Sequence, residues 1–225
     1  MEPYAALHNV PTLSTVNMGG SIFISGAPGS GKTSLANILG TDLTCEVIEE
    51  RLDHPLVKAY FDDPKRWSFH LSTLLMLQSI EALDQHAIVG RDQWLCWDYD
   101  PRSHFEVFCH QLFANDRLSA HELALSESLH RALLRRYREP DLLVFLRADA
   151  SVLQTRLAIR NRDRETQTLS SEYLAQLVTR FEKWKDEREG NPLIIDTTAF
   201  DIVNSDSDRA TVIALVRERL QFLKR

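Results

Sequence analysis

The sequence predicts an α/β fold in which helices cover both faces of a five-stranded parallel sheet. Two observations support this prediction. Five short apolar segments alternate with segments of helical periodicity along the 225 residues, and this alternation is typical of parallel strands joined by crossover helices. The first strand is also followed directly by a glycine-rich loop and an amphipathic helix. The length suits a single domain, residues 1–225, with no linker or internal repeat.

The loop after the first strand carries the most specific motif of the chain. It reads GAPGSGKT and matches G-x-x-x-x-G-K-[S/T] at every fixed position. Its glycines let backbone N–H groups surround a polyphosphate, and the helix N-terminus adds partial positive charge. Lys32 is expected to contact the β- and γ-phosphates and the Thr33 hydroxyl to bind Mg²⁺. The sequence therefore predicts a P-loop NTPase fold that binds ATP through Gly26, Ala27, Pro28, Gly29, Ser30, Gly31, Lys32, Thr33, Ser34 and Arg156.

Composition and charge exclude several classes of protein. The hydrophobic content is 44%, the charged content 26% and the formal net charge −6, so no basic face predicts binding to nucleic acid or to a membrane surface. No apolar run approaches the roughly 20 residues that span a bilayer, and no secretory signal opens the chain. The three cysteines share no metal-type spacing. We expect a cytoplasmic protein with reduced thiols.

The strands are predicted from short apolar runs. The third run, HAIVG, is followed by the aromatic and acidic stretch RDQWLCWDYDPRS, which we interpret as a functional loop or an irregular helix. The five strands are predicted at residues 21–25, 45–49, 86–90, 141–147 and 192–196.

The helices are predicted from apolar residues at helical spacing and from capping residues. Pro55 and Pro64 each lie in the first turn of a helix, Ser119 and Glu122 form a capping box, and Asp149 caps a further helix. Residues 1–19 contain two prolines and no periodicity, which predicts a loosely held arm. The helices are predicted at about residues 32–39, 53–61, 63–83, 105–113, 119–137, 149–159, 173–189 and 210–223.

Charged side chains follow several of these elements. Glu49 ends the second predicted strand and Arg91 follows the third. Because the carboxyl ends of parallel strands meet at one edge, both are expected beside the phosphate loop. There Glu49 can accept the proton of an attacking hydroxyl and Arg91 can hold the acceptor. The arginine-rich segment is expected to close over the phosphates as a lid of about residues 156–169.

Several segments together resemble the deoxynucleoside kinase family over nearly the whole chain. They are GAPGSGKTS, the glutamate that ends strand 2, FDDPKRWSF, the arginine after strand 3, and PDLLVFLRADASVLQTRLAIRNRDRE followed by SSEYLAQL. The resemblance implies an ATP- and Mg²⁺-dependent kinase in which Glu49 is the general base for a sugar 5′-hydroxyl. It further implies that Arg91 supports this hydroxyl and the transferred phosphate. Arg160 and Arg162 match lid arginines, and Glu165 matches a lid carboxylate that contacts the sugar.

The acceptor end departs from the family pattern. The glutamine that pairs with the base falls near Ser72, an arginine one helical stretch later falls at Ser79, and its aspartate partner falls at Cys96. The tyrosine that holds the sugar 3′-hydroxyl aligns with Phe61, beside Tyr60. The phosphate end is thus retained and the base-reading end altered. The predicted acceptor-binding residues are Glu49, Tyr60, Phe61, Trp67, Leu71, Ser72, Arg91, Cys96 and Glu165.

The metal site and the aromatic residues leave alternatives open. The family has an acidic residue, arginine and serine after strand 3, whereas the run here is Gly90-Arg91-Asp92. The carboxylate that assists Mg²⁺ is therefore missing at Gly90, and Asp92 or Asp98 is the candidate to replace it beside Thr33. Four aromatic residues can either stack on an acceptor or pack in the core: Trp67, Trp94, Trp97 and Tyr99.

We predict a kinase that transfers the γ-phosphate of ATP to a (deoxy)nucleoside or nucleoside-like acceptor. One alternative is a kinase for another small acceptor, namely a nucleoside monophosphate, a modified nucleoside or a non-nucleoside alcohol. The other is a catalytically silent ATP-binding module. Family members commonly pair through helices beside the phosphate loop. The apolar stripes at residues 74–83 and 105–113 therefore either form a homodimer interface or belong to the core.

Overall fold

The structure, a computed structural model, describes residues 19–86, 93–159 and 168–223. Its sheet contains five strands, all parallel, in the order β2-β3-β1-β4-β5. This confirms the predicted fold class. The strands are β1 Ser21–Ser25, β2 Glu46–Ile48, β3 Leu95–Trp97, β4 Leu142–Arg147 and β5 Leu193–Asp196.

Helices connect the strands and cover both faces of the sheet. The boundaries follow the capping residues: Pro55 and Pro64 open two helices, and the predicted capping box of Ser119 and Glu122 is formed. A π-helical segment, His104–Cys109, leads into a short helix. The helices are α1 Lys32–Leu43, α2 Pro55–Asp62, α3 Pro64–Gln85, α4 His110–Ala114, α5 Ala120–Leu134, α6 Ala150–Ile159, α7 Ser171–Asp186 and α8 Asp206–Phe222.

The third strand differs from its prediction. It is Leu95–Trp97 and pairs with both β1 and β2, whereas the sequence pattern placed it at residues 86–90. His86 is the C-cap of α3, and residues 87–92 lie outside the described part of the chain. The run LCW is only three residues long and is held in the sheet by hydrogen bonds from two neighbouring strands, which a pattern read along the sequence does not show. This shift of the strand changes the interpretation of the loop that follows it.

The core lies on the two faces of the sheet, as side-chain alternation along the strands requires. Ile22, Ile24 and Cys96 pack toward α1 and α8. Phe23 and Trp97 point to the opposite face, where they pack against α3 and α5. The phosphate loop and the carboxyl ends of β1, β2 and β3 therefore share one edge between the helical layers.

The two apolar stripes contribute to the core and to the surface. Met76 and Leu83 of α3 are buried, as are Phe105 and Leu112 farther along the chain. Leu77 of α3 is 45% exposed and Phe113 is 40% exposed. Each stripe is thus mainly a packing face, and the homodimer stays a prediction. None of the helices in the three described segments is long and apolar enough to cross a membrane.

Candidate active site

The phosphate loop connects β1 to α1 in the conformation that its glycines permit. Gly26, Gly29 and Gly31 have φ angles of 143°, 84° and 99°, a region that side chains disfavour. A Cβ on Gly26 would lie 2.5 Å from the backbone oxygen of Leu146. The Nζ of Lys32 donates to the backbone oxygens of Gly26 and Ala27 at 2.9 and 3.2 Å, which places the ammonium inside the loop.

Asp98 follows β3 directly and connects three elements of the site. One of its carboxylate oxygens accepts a hydrogen bond from the Thr33 hydroxyl at 2.9 Å, and the other accepts from the Glu50 backbone N–H at 2.8 Å. Mg²⁺ prefers oxygen ligands and usually binds through one or two protein groups and the substrate phosphates. The Thr33 hydroxyl and the Asp98 carboxylate fit this requirement.

The position of Asp98 corrects the prediction that the acidic residue after strand 3 is missing. With β3 at Leu95–Trp97, the three residues after the strand are Asp98, Tyr99 and Asp100. The acidic residue is therefore present, and tyrosine stands where the family pattern has arginine. The predicted Arg91 and the predicted metal ligand Asp92 lie outside the described residues.

Two adjacent glutamates follow β2 and line the same cavity. The predicted base, Glu49, is exposed. The side chain of Glu50 is only 22% exposed, and its Oε1 lies 3.7 Å from Nε2 of His104. Burial, with a smaller contribution from the charge of Asp98, raises the pKa of Glu50 to about 7, although Lys32 opposes the shift.

The sequence analysis missed Glu50, and strand alternation could have found it. Glu50 is two residues after Ile48, which packs with Trp97 and Tyr99 on the face of the sheet that carries α3. Glu49 lies one residue earlier, on the other side of this alternation, although it also borders the cavity as an exposed residue. Glu50 therefore continues the face on which the acceptor cavity lies.

The cavity beside the phosphate loop has a volume of about 580 Å³, within the range of small-ligand sites. It extends from the loop past the ends of β2 and β3 to the space between α3 and residues 99–112. Four predicted acceptor residues besides Glu49 line it: Tyr60, Phe61, Leu71 and Ser72.

Two predicted acceptor residues lie elsewhere. Cys96 is fully buried in the core beneath α1 and α8, because its position in the middle of β3 directs it away from α3. Trp67 is half-buried beside Tyr60 and Leu71 without lining the cavity. Trp97 is core, Trp94 packs against the core, and Tyr99 lines the cavity.

A tyrosine pair with an arginine behind it forms one wall of the cavity. Tyr60 and Tyr173 both line it, and each is more than 90% buried. Their side chains hydrogen-bond to each other, Arg117 bonds to Tyr60, and the guanidinium lies 4.8 Å from the Tyr173 ring centre. Burial raises the pKa of Tyr60. Arg117 and Tyr173 were not predicted, because they lie far from Tyr60 in sequence.

The turn after β3 is fixed from behind by a buried ionic network. Asp100 is fully buried and accepts hydrogen bonds from the Arg102 backbone N–H at 2.9 Å and the Tyr137 hydroxyl at 3.2 Å. The Arg188 guanidinium lies 3.2 Å from the same carboxylate and bonds to Glu139 at 2.6 Å. These contacts anchor residues 98–104 to the end of α7.

The predicted lid lies mostly outside the described residues. Arg160, Arg162 and Glu165 belong to that undescribed part. Arg156 is described, and its guanidinium donates to the hydroxyl and the backbone oxygen of Thr197 at 3.0 and 2.5 Å. It therefore connects α6 to the end of β5.

Comparisons with known proteins agree with this geometry. A family model described as deoxynucleoside kinase matches residues 22–221. The deoxyguanosine kinase of Bacillus subtilis (strain 168) is 26% identical over 209 residues, covering 90% of this chain and 99% of that protein. The deoxyadenosine/deoxycytidine kinase of the same organism is 23% identical over 210 residues, covering 92% and 93%.

Solved structures share the fold. The deoxyadenosine kinase from M. mycoides with bound dCTP superposes with a TM-score of 0.75 at 15% identity. The match covers 88% of this chain and 99% of that one. The same protein with bound dATP gives the same score and identity.

Proposed function

The chain belongs to the deoxynucleoside kinase family, which makes it a phosphotransferase, and we propose that it transfers the γ-phosphate of ATP to the 5′-hydroxyl of a (deoxy)nucleoside or nucleoside-like acceptor. One observation carries the proposal. A single cavity contains the phosphate loop, the carboxylates that follow β2 and β3, and an aromatic and apolar far end. These are the parts that phosphoryl transfer between two bound substrates requires.

The phosphate end performs binding and charge stabilisation. The loop N–H groups and Lys32 would hold the β- and γ-phosphates, since Lys32 already lies inside the loop. Thr33 and Asp98 would hold Mg²⁺, which neutralises charge on the phosphates when bound. Arg160 and Arg162 are proposed from the family resemblance as further cations for the transferred phosphate, and Glu165 as a contact to the sugar. Arg91 stays a prediction from the sequence alone, because Tyr99 now follows the acidic residue after β3.

A carboxylate at the end of β2 is proposed as the general base. The family pattern selects Glu49, and that assignment stays a prediction. Burial, the contact with His104 and the raised pKa favour Glu50, because an efficient base titrates near the working pH. We therefore propose Glu50 as the group that accepts the 5′-hydroxyl proton and compare it with Glu49 in the Discussion.

The structure bears differently on the two alternative functions, a silent ATP-binding module and a kinase for another small acceptor. The silent ATP-binding module drew its support from a missing carboxylate after strand 3, and Asp98 removes that support. A kinase for another small acceptor keeps its support, because Tyr99 and Ser79 occupy positions where the family pattern has arginine.

The proposal is tested by phosphoryl transfer from γ-labelled ATP, with Mg²⁺, to a panel of ribo- and deoxynucleosides. Lys32→Ala serves as the blank, and Lys58→Ala, which changes an exposed lysine of α2, serves as the matched control. Transfer by the unsubstituted protein and the control, absent in the blank, supports the proposal. Measurable ATP binding without transfer to any nucleoside refutes it and favours another acceptor.

A further inference from the structure

The far end of the cavity, formed by α3 and residues 99–112 and here called the deep end, lacks a charged base-reading group. Among the described residues that line the cavity, the sole cation is Lys32, which belongs to the phosphate loop. The carboxylates of the lining lie at the ends of β2 and β3. The deep end itself consists of apolar side chains, of Asp100, whose buried carboxylate is paired with Arg188, and of five neutral polar side chains: Ser68, Ser72, Tyr99, Ser103 and His104.

Two positions at which the family resemblance predicts arginine are filled by a neutral pair. The acidic residue after β3 is followed by Tyr99, and the arginine expected on α3 is Ser79. The Tyr99 hydroxyl hydrogen-bonds to the Ser79 hydroxyl, and Ser79 Oγ donates to the Leu75 backbone oxygen at 2.8 Å. Both side chains are uncharged, so these two positions direct no fixed positive charge at an acceptor.

The remaining polar groups can each donate or accept. The Ser72 hydroxyl bonds to the thiol of Cys109, a weak donor and a weak acceptor that leaves the hydroxyl free to rotate. Burial and the charge of Lys32 lower the pKa of His104 to about 4. The imidazole is therefore neutral near pH 7, with one donor and one acceptor nitrogen. Neither Ser72 nor His104 imposes a fixed polarity on the base.

We infer that this site accepts nucleobases with an amino edge and nucleobases with a keto edge alike, so that its substrates are nucleosides of both kinds. The inference rests on the proposed function. A site that reads a base with an arginine and an aspartate leaves a buried charged group unpaired when the edge has the opposite polarity, and it rejects that base strongly. A rotating hydroxyl and a neutral imidazole can form a hydrogen bond with either edge.

The test uses two substrate pairs that differ in a single amino or keto group: deoxycytidine with deoxyuridine, and deoxyadenosine with deoxyinosine. With the full-length protein and Mg²⁺-ATP, kcat/KM is expected to differ by less than about 10-fold within each pair. A difference above about 100-fold within either pair overturns the inference while the proposed function stands. No transfer to any of these four nucleosides, with transfer to another member of the wider panel, overturns the inference alone. No transfer to any nucleoside of that panel overturns the proposed function and the inference with it.

Two substitutions of Ser72 test whether its neutral hydroxyl is a reason why both kinds of base are accepted. Ser72→Asp introduces a group that only accepts hydrogen bonds, and it is expected to raise the amino-to-keto ratio at least about 10-fold. Ser72→Ala is expected to lower both rates and keep the ratio. Ser128→Asp, the same change at an exposed serine of α5, is the matched control. An unchanged ratio in folded Ser72→Asp overturns the inference. If circular dichroism shows that Ser72→Asp is unfolded, the inference is judged from the kcat/KM ratios of the unsubstituted protein and of Ser72→Ala.

Discussion

Replacing Glu50 with glutamine removes the charge of the proposed base and keeps its size. A positioned general base contributes roughly 10²–10⁴-fold to a rate, so Glu50→Gln is expected to lower kcat at least about 100-fold at pH 8. In the unsubstituted protein, kcat is expected to rise with pH through about 7, as the Glu50 carboxyl loses its proton. This rise is expected to disappear in the variant.

The same substitution is expected to stabilise the protein. Burial raises the pKa of Glu50 from its ordinary value of 4.5 to about 7. Between these pH values the folded chain holds a proton that the unfolded chain has lost, so stability falls as the pH rises from 4.5 to 7. At about 1.4 kcal/mol for each pH unit, the loss above pH 7 is about 3 kcal/mol. Glutamine does not ionise and avoids this loss.

The assay combines pH–rate profiles with urea unfolding at about pH 4.5 and about pH 8. Glu50→Gln is expected to match the unsubstituted protein in stability at the lower pH and to exceed it at the higher pH. Glu49→Gln is the comparison, because it makes the same change one residue earlier. If Glu49→Gln loses about 100-fold in kcat and Glu50→Gln less than about 10-fold, the base is Glu49 and the reasoning from burial is refuted.

Three further predictions address other parts of the molecule. Asp98→Asn is expected to keep the fold and lower kcat about 100-fold, with a higher Mg²⁺ concentration needed for half-maximal rate; an unchanged Mg²⁺ titration contradicts the proposed metal site. Gly26→Ala is expected to weaken ATP binding at least about 10-fold by calorimetry, since the new Cβ meets the Leu146 oxygen; unchanged affinity contradicts this. Burial raises the pKa of Glu106, but hydrogen bonds from His130, Trp184 and Arg102 outweigh it and lower the pKa to about 2. This carboxylate therefore stabilises the fold above pH 4.5, and the stabilisation disappears as the pH falls toward 2. Glu106→Gln is expected to lower the free energy of unfolding by up to about 3 kcal/mol near pH 7 and by progressively less as the pH falls, measured by urea unfolding. A loss at about pH 4 that equals the loss at about pH 7 contradicts this.

The fold class and the phosphate loop could be predicted because their signals are local. The glycine spacing determines the conformation of the loop, and the alternation of strands and helices indicates a parallel sheet. Proline and serine caps identified the starts of α2, α3 and α5. None of these inferences needs knowledge of which segments meet in space.

The third strand could not be predicted, because its signal is not local. Leu95–Trp97 is three residues long, and its place in the sheet depends on hydrogen bonds from β1 on one side and β2 on the other. The error moved the expected carboxylate from Asp98 to Gly90. Glu49 was chosen separately, because the second strand was predicted to end there, whereas β2 ends at Ile48. The pairing of Ile48 with Trp97 brings Glu50, two residues further on, beside Asp98, whose carboxylate accepts a hydrogen bond from the Glu50 backbone N–H.

The two hydrogen bonds of Asp98 bear on how such a site can acquire new substrates. They join the start of α1, the end of β3 and the segment after β2, and neither of these hydrogen bonds involves α3. Substitutions on α3 can therefore alter what is phosphorylated without disturbing the groups proposed to carry out the transfer. His104 and Tyr99 of the deep end are different, because His104 contacts Glu50 and Tyr99 directly follows Asp98. A laboratory search for new acceptors should therefore diversify positions 68, 71, 72 and 75 first and hold positions 99 and 104 fixed.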